Sequence, residues 1–458
     1  MTQLPRRFPE RDDVVQARAD AEPLENGQTA ESVKRRLAGR VMARREMGKL
    51  VFLDLVDRSG RIQLMVDTGR VGDVDVKLGD IVGVEGAPAR TRRGEPSLMV
   101  ETLELLAPIR RPLPDTFHGV TDVETRYRQR YLDLLVNEES RSDAIVRSRM
   151  VSEIRRYLDD RGFLEVETPV LQPRYGGGFA TPFETYYNHM EQTYYLRIAT
   201  ELYLKRLIVG GLEKVYELSK DFRNEGVSYK HNPEFTMLEW YEAYADYEDT
   251  MRRVEELVST VAERVLATTR VVFKDNEIDF APPWRRITFA ASLEEHGLWI
   301  RDGDELRRAL NERGVDTSAD KDWPQLLDHA FSHYVEPALV QPTIVYDYPV
   351  ELSPFAQLKP GDPTLVERFE YFAGGMELGN AFSELNDADE QQRRFDMQSE
   401  FVEGERGDPD YVEALAYGMP PTGGLGLGID RLAMVFTGND SIRDVLLFPA
   451  LRERGPGA

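Results

Sequence analysis

The chain has 458 residues, 41% of them hydrophobic, and no run of about 18 apolar residues, so it predicts a cytoplasmic globular protein of more than one domain, without a membrane span or signal peptide. A formal net charge of −23 argues against a surface coated throughout by nucleic acid and leaves only a local basic patch for that purpose. The absence of cysteine excludes disulfides, thiolate nucleophiles and cysteine-ligated zinc, and six scattered histidines direct any metal requirement toward magnesium on carboxylates.

Residues 1–30 are polar and carry Pro5, Pro9 and Pro23, which predicts an N-terminal extension with at most one short helix. In residues 31–108 the runs LVFLDLVD, RIQLMVD, DIVGVEG and LMVETLELL alternate with Gly- and Pro-containing turns. About five strands in so short a span predict a closed barrel of the oligonucleotide-binding kind. The segment Lys34–Lys49 carries seven basic residues and one acidic residue, so the barrel is also the candidate polyanion-binding part; solvation of a strand-rich surface is the competing explanation.

A Pro-rich stretch, APIRRPLPDTFHG, opens a linker over residues 109–140, and residues 141–458 form the second domain. Ile145, Met150, Ile154 and Tyr157 or Leu158 recur at mostly three- and four-residue intervals before Gly162, which predicts an amphipathic helix over about 142–160. Further helices are expected at 201–209, 250–267 and 303–313, without a regular strand–helix–strand period or a glycine-rich phosphate loop. The predicted class is α+β: a five-stranded barrel followed by an antiparallel sheet flanked by helices.

Three stretches of the second domain carry candidate chemistry. In VYELSKDFRNEGVSYKHNPEFTMLEWYEAY (215–244), extended backbone over Phe222–Glu225 puts Arg223 and Glu225 on one face, and the returning strand puts Phe235, Met237, Glu239 and Tyr241 on one face. Guanidinium, carboxylates and aromatic rings so arranged suit a nucleotide, and equally an ordinary salt-bridged hairpin. In RFEYFAGGMELGNAFSELND (368–387), Asn380, Phe382 and Glu384 alternate, while Glu370 and Glu377 flank a Gly374-Gly375 break and suit either a shared hard cation or a solvated acidic edge. In PPTGGLGLGIDRLAMVF (420–436), four glycines allow close approach of a ligand or of another backbone, and Arg431 falls in the first turn of the following helix.

Three segments, the second and third of them within the stretches at 215–244 and 420–436, resemble in order the three signature motifs of class II aminoacyl-tRNA synthetases. GFLEVETPVL with Pro169 resembles the first, FRNE through HNPEF the second, and GLGLGIDR the third. With YLRIATELYLKRLIVGG and IRDVLLFP added, the chain from about Leu37 onward is similar to the lysyl-tRNA synthetases. The resemblance implies a homodimer with the first motif at the interface, and ATP, L-lysine and tRNA(Lys) as ligands. By the same resemblance Arg223 meets the α-phosphate and substrate carboxylate, Phe235 stacks on adenine, Glu225 meets the adenine edge, and His231 and Arg431 hold the outer phosphates. Glu370 and Glu377 hold Mg2+; Gly177 and Glu201 receive the α-amino group; Asn380 receives the carboxylate with Phe382 beside it; and Glu239, Tyr241 and Glu384 surround the far end of the side chain. In the barrel, Arg45, Phe52 and Gln63 match the anticodon-reading positions, and Phe52 is also a candidate core residue.

The charge argument converges independently, because three glutamates in one desolvated pocket require a ligand that brings positive charge. Departures from the family pattern fall at Gly178-Phe179-Ala180-Thr181, where an arginine is missing, at Thr200 in place of a proline, and at SPFAQ (353–357) in place of SPLAR. Competing readings are a paralogue lysylating a non-tRNA acceptor, an aspartyl- or asparaginyl-type synthetase, and a catalytically silent nucleic-acid-binding protein.

Overall fold

A computed structural model describes residues 4–114, 119–178, 180–353, 355–399 and 408–453; Phe179, Pro354 and part of the expected linker lie outside the described residues. The chain forms two compact units, Met1–Asn137 and Glu138–Ala458.

In the first unit, β1 (Arg35–Met47), β2 (Leu50–Val56), β3 (Arg61–Asp67), β4 (Ile81–Arg90) and β5 (Pro96–Ala107) close a barrel in the order β1-β2-β3-β5-β4. Period-two alternation turns Val51, Leu53 and Leu55 of β2 inward with Ile62, Leu64 and Val66 of β3. The extension is not loose throughout: α1 (Val14–Ala21) adds Val14 and Ala17 to that core. Residues 120–137 carry two short helices, Val123–Arg128 and Arg130–Val136, rather than an open linker. Their junction centres on Asp133, fully buried and ion-paired to Arg126 at 3.0 Å and Arg130 at 2.6 Å.

The second unit is built on a nine-stranded sheet. Its path runs Arg285–Thr288, Thr343–Pro349, Asp362–Ala373, Met376–Ser383, Thr422–Gly428, Glu234–Ala243, Lys214–Phe222 and Leu164–Glu165, with Leu358–Lys359 paired to the third of these. All pairs are antiparallel except the two outermost. One face is covered by helices Glu138–Asp159, Tyr247–Leu266 and Ile429–Thr437, whose apolar sides meet Leu238, Trp240, Tyr371 and Leu425. Asp246 caps the second of these helices by accepting from the Asp249 N–H at 2.9 Å. The opposite face of the central strands is left for the site. A separate apolar cluster packs Gly303–Glu312 and Trp323–Ala330 around Phe289, Phe331 and Tyr348. No described helix is long and apolar enough to cross a membrane.

Candidate active site

Strand register sets the positions of the side chains. Glu239, Gly426 and Asn380 lie in one row across three neighbouring strands, and Tyr241, Gly424 and Phe382 in the next. Directly opposed residues share a face, so Glu239, Tyr241, Asn380 and Phe382 all rise from the side away from the Trp240 core. The glycine strand between them provides a backbone floor. A Cβ on Gly424 would lie 1.9 Å from Oε1 of Glu384 and 2.6 Å from the Tyr241 ring, so only glycine leaves room there. Gly177, at φ +86°, closes the wall beside Ala199 and Glu201.

These groups line one cavity of about 370 Å3, together with Gly177, Glu201, Arg223, Glu225, His231, Phe235, Glu377, Glu384 and Arg431. Glu377 reaches the site face although it is an odd number of residues from Asn380, because the pairing skips Leu378. Glu370 is the exception. It stands in the Asn380 row, yet it lies outside the cavity lining, where it pairs with Arg368 and accepts from the Tyr348 hydroxyl at 2.9 Å. Among the described residues no cluster of three His, Asp or Glu with metal-ligand geometry is present.

One end of the cavity is basic. Arg431 donates to the Glu377 carbonyl at 2.8 Å and to its carboxylate at 2.9 Å, and lies 3.2 Å from Nε2 of His231, whose Nδ1 is 2.8 Å from the Ser228 hydroxyl. Burial, then Arg431 and Lys230, hold the His231 pKa down, so the ring is neutral near pH 7. The Arg223 guanidinium sits 5.1 Å from the centre of the Phe235 ring, and its Nε is buried without a hydrogen bond among the described residues. The strand expected through Glu225 stops at Phe222, and the Arg223 N–H makes a single further bond, to the Pro233 carbonyl. Both Arg223 and Glu225 still face the cavity.

The other end is acidic, and its carboxylates are buried. The Glu239 carboxylate accepts from the Tyr241 hydroxyl at 3.1 Å and from the Thr200 N–H at 3.3 Å, a bond that a proline at position 200 could not make. Burial, reinforced by Asp221 and Glu201, pushes Glu239 up to about 8. Burial likewise pushes Glu384 up to about 8 against the pull of Lys205. Oε1 of Glu384 receives no hydrogen bond among the described residues, and Oε2 is ion-paired to Lys205.

Two groups here escaped the sequence reading. Lys205, fully buried, pairs with Glu201 at 2.6 Å and with Glu384, and its signal was the Glu201–Lys205 spacing of four on a helix. Asp221, buried behind Arg223, pairs with Arg197 at 3.3 Å and had no separate sequence signal.

In the barrel, Arg45 and Phe52 are cross-strand partners on β1 and β2, and Gln63 faces Asp54 on β3. Phe52 is half-buried on the outer face and takes no part in the apolar core. The group that sequence reading overlooked is Asp54, buried at that face between Arg45 and Arg61.

Two family profiles match the chain. One, described as tRNA synthetases class II (D, K and N), covers residues 122–452, and the other, an OB-fold nucleic acid binding domain, covers 36–106. A lysine–tRNA ligase of Roseiflexus sp. is 51% identical over 435 residues, which span 91% of this chain and 89% of that protein. Lysine–tRNA ligases of Roseiflexus castenholzii, 51% identical over 91% and 89%, and of Dehalococcoides mccartyi, 48% identical over 96% and 92%, are similar throughout.

Proposed function

Because the chain belongs to the lysine–tRNA ligases of the class II tRNA synthetase family, we propose that its acidic pocket takes L-lysine and that the basic end of the same cavity takes ATP. The observation that carries this reading is the convergence of Glu201, Glu239 and Glu384, all nearly inaccessible to solvent, at one end of the cavity. A ligand with two ammonium groups relieves their mutual repulsion; an aspartate side chain would worsen it. Lysine sits with its α-amino group at Gly177 and Glu201, its carboxylate at Asn380 with Phe382 alongside, and its ε-ammonium between Glu239, Tyr241 and Glu384.

For ATP, Phe235 offers a ring for adenine, Glu225 an acceptor for the adenine edge, and Arg223, His231 and Arg431 hold the phosphates. Glu377, which lines the cavity, offers hard oxygen donors of the kind Mg2+ prefers, and that ion would neutralise phosphate charge; Glu370 would join it only by leaving Arg368 and Tyr348. The lysine carboxylate attacks the α-phosphorus in line, and the bond to pyrophosphate breaks. Arg223 then stabilises charge on the non-bridging oxygens, so catalysis is positioning plus electrostatics with no protein nucleophile. The terminal 3′-hydroxyl of tRNA(Lys) next attacks the carbonyl of the lysyl-adenylate and releases AMP. The chain acts as a cytoplasmic homodimer with the Pro169 segment at its interface.

The test is ATP–pyrophosphate exchange with each of the twenty amino acids, followed by tRNA charging. Lysine is expected to win both steps; aspartate winning would overturn the pocket reading, and exchange without charging would point to another acceptor. Because Glu239 and Glu384 carry raised pKa values of about 8 when the pocket is empty, lysine binding requires them to ionise and releases protons. KM for lysine therefore falls as pH rises from 6 toward 8, whereas a flat profile would sink this account.

The barrel's part in the reaction is contact with single-stranded RNA bases by Arg45, Phe52 and Gln63. Truncating Phe52 to alanine removes a stacking surface worth about 1–3 kcal/mol per base. Charging efficiency should drop by about 5- to 150-fold while pyrophosphate exchange holds the parental rate. Undiminished charging would remove Phe52 from the RNA interface.

A further inference from the structure

Lys205 lies on the Glu201–Val209 helix with its side chain at 0% exposure. Burying an ammonium is costly unless its charge is met, and here it is met on several sides. Nζ is 2.6 Å from Oε1 of Glu201 and lies against Glu384, 5.4 Å from the centre of the Phe355 ring and 5.8 Å from that of Tyr241. Two carboxylates and two aromatic faces are the surroundings that recognise an alkylammonium ligand, and this one is occupied by the protein's own side chain. Glu201, Glu384, Tyr241 and Phe355 line the cavity whereas Lys205 does not, so the ammonium stands behind the wall and acts through it.

We propose that Lys205 is a positioning residue that sets how many negative charges the pocket presents, cancelling one of the three from Glu201, Glu239 and Glu384 so that two remain for the two ammonium groups of lysine. This rests on the reading that the pocket takes lysine. With Lys205 absent, Glu384 loses the cation that pulls against burial while still facing Glu201, so it holds its proton to higher pH. That glutamate then presents a hydroxyl to an incoming ammonium where a carboxylate is needed. The groups that set this balance are Glu201 on the same helix, Glu384 beyond the Met376–Ser383 strand, Glu239 and Tyr241 on the Glu234–Ala243 strand, and the Tyr411 hydroxyl on helix Pro409–Ala416. Asp221, held by Arg197, adds to the repulsion at Glu239 from behind.

The experiment is pyrophosphate exchange over pH 6.5–9.5 with the full chain, Lys205→Met and Lys205→Gln, alongside thermal melting by circular dichroism. For both variants KM for lysine is expected to rise about tenfold or more at pH 7, with KM for ATP unchanged. The pH at which lysine KM levels off should move up by about 1–3 units, the shift that losing an adjacent opposite charge produces. A parental pH profile, or equal loss for lysine and ATP, would overturn the role of Lys205. Failure of both variants to fold would make it a stability element only, which overturns the proposal as well. Lack of exchange with lysine by the parent chain would overturn the pocket reading itself and is read before the variants.

Discussion

Arg223→Gln is expected to lower kcat for lysine-dependent pyrophosphate exchange by about 10²- to 10³-fold, the loss typical when one preorganised donor to a developing oxyanion is removed. Its guanidinium is free to serve in this way. It rests beside Phe235 with Nε buried and without a hydrogen bond among the described residues, at the point where the Lys214–Phe222 strand has ended. The neighbouring Asp221 also pairs with Arg197, a cation shared with Glu217, so part of that charge stays balanced when Arg223 is replaced. Melting should therefore stay within a few degrees of the parent. Lysine is not an adequate replacement, because a point charge cannot fork toward a phosphate and a carboxylate together. Near-parental kcat in Arg223→Gln would mean that Arg431 and His231 carry the transition state between them.

The second large effect concerns Glu384. Burial raises the Glu384 pKa against the pull of Lys205, and Lys205 keeps Glu201 as a partner, so glutamine fills the same space without leaving the buried cation unmet. Glu384→Gln is accordingly expected to melt like the parent. Binding is where the difference lies, since an amide cannot ionise to meet an ammonium. Loss of a charge-assisted hydrogen bond of about 1.5–3 kcal/mol raises KM for lysine by roughly 10- to 150-fold. KM for ATP should hold, because the phosphate-facing groups Arg431 and His231 make their contacts with Glu377 and Ser228 rather than with Glu384. Equal losses for the two substrates would take Glu384 out of the lysine pocket.

How much of this was legible beforehand depended on whether a pattern was local. The barrel strands and the helix expected over about 142–160 were, because alternation and a Gly162 stop are each written within a short stretch of chain. Tyr241 and Glu239 could be placed on one face by period two alone. The strand through Glu225 could not survive, since its partner reaches Pro233, which has no N–H to offer the ladder. Equally hidden was the position of Glu370: its separation from Glu377 says nothing about Arg368 and Tyr348, which fold over it from the same and a neighbouring strand. Lys205 was missed for a different reason. A helical Glu–Lys pair four apart reads as a solvated surface ornament, and only the packing of Tyr411 and Phe355 turns it into an interior charge. Phe52 shows the converse, an aromatic in an apolar run that the alternation of Val51, Leu53 and Leu55 turns outward.

The glycine strand under the cavity separates two jobs that most binding sites entangle. Its residues 424, 426 and 428 turn toward the cavity and place backbone, not side chains, on that floor, so the floor has no chemical preference of its own. On the proposed reading of the pocket, choice of amino acid resides in a handful of wall positions on the two flanking strands and just beyond them, Glu239, Tyr241, Asn380, Phe382 and Glu384. For anyone wishing to load tRNA with an unnatural lysine derivative, those walls can be redrawn one residue at a time while the floor, and the nucleotide chemistry at the other end, is left alone.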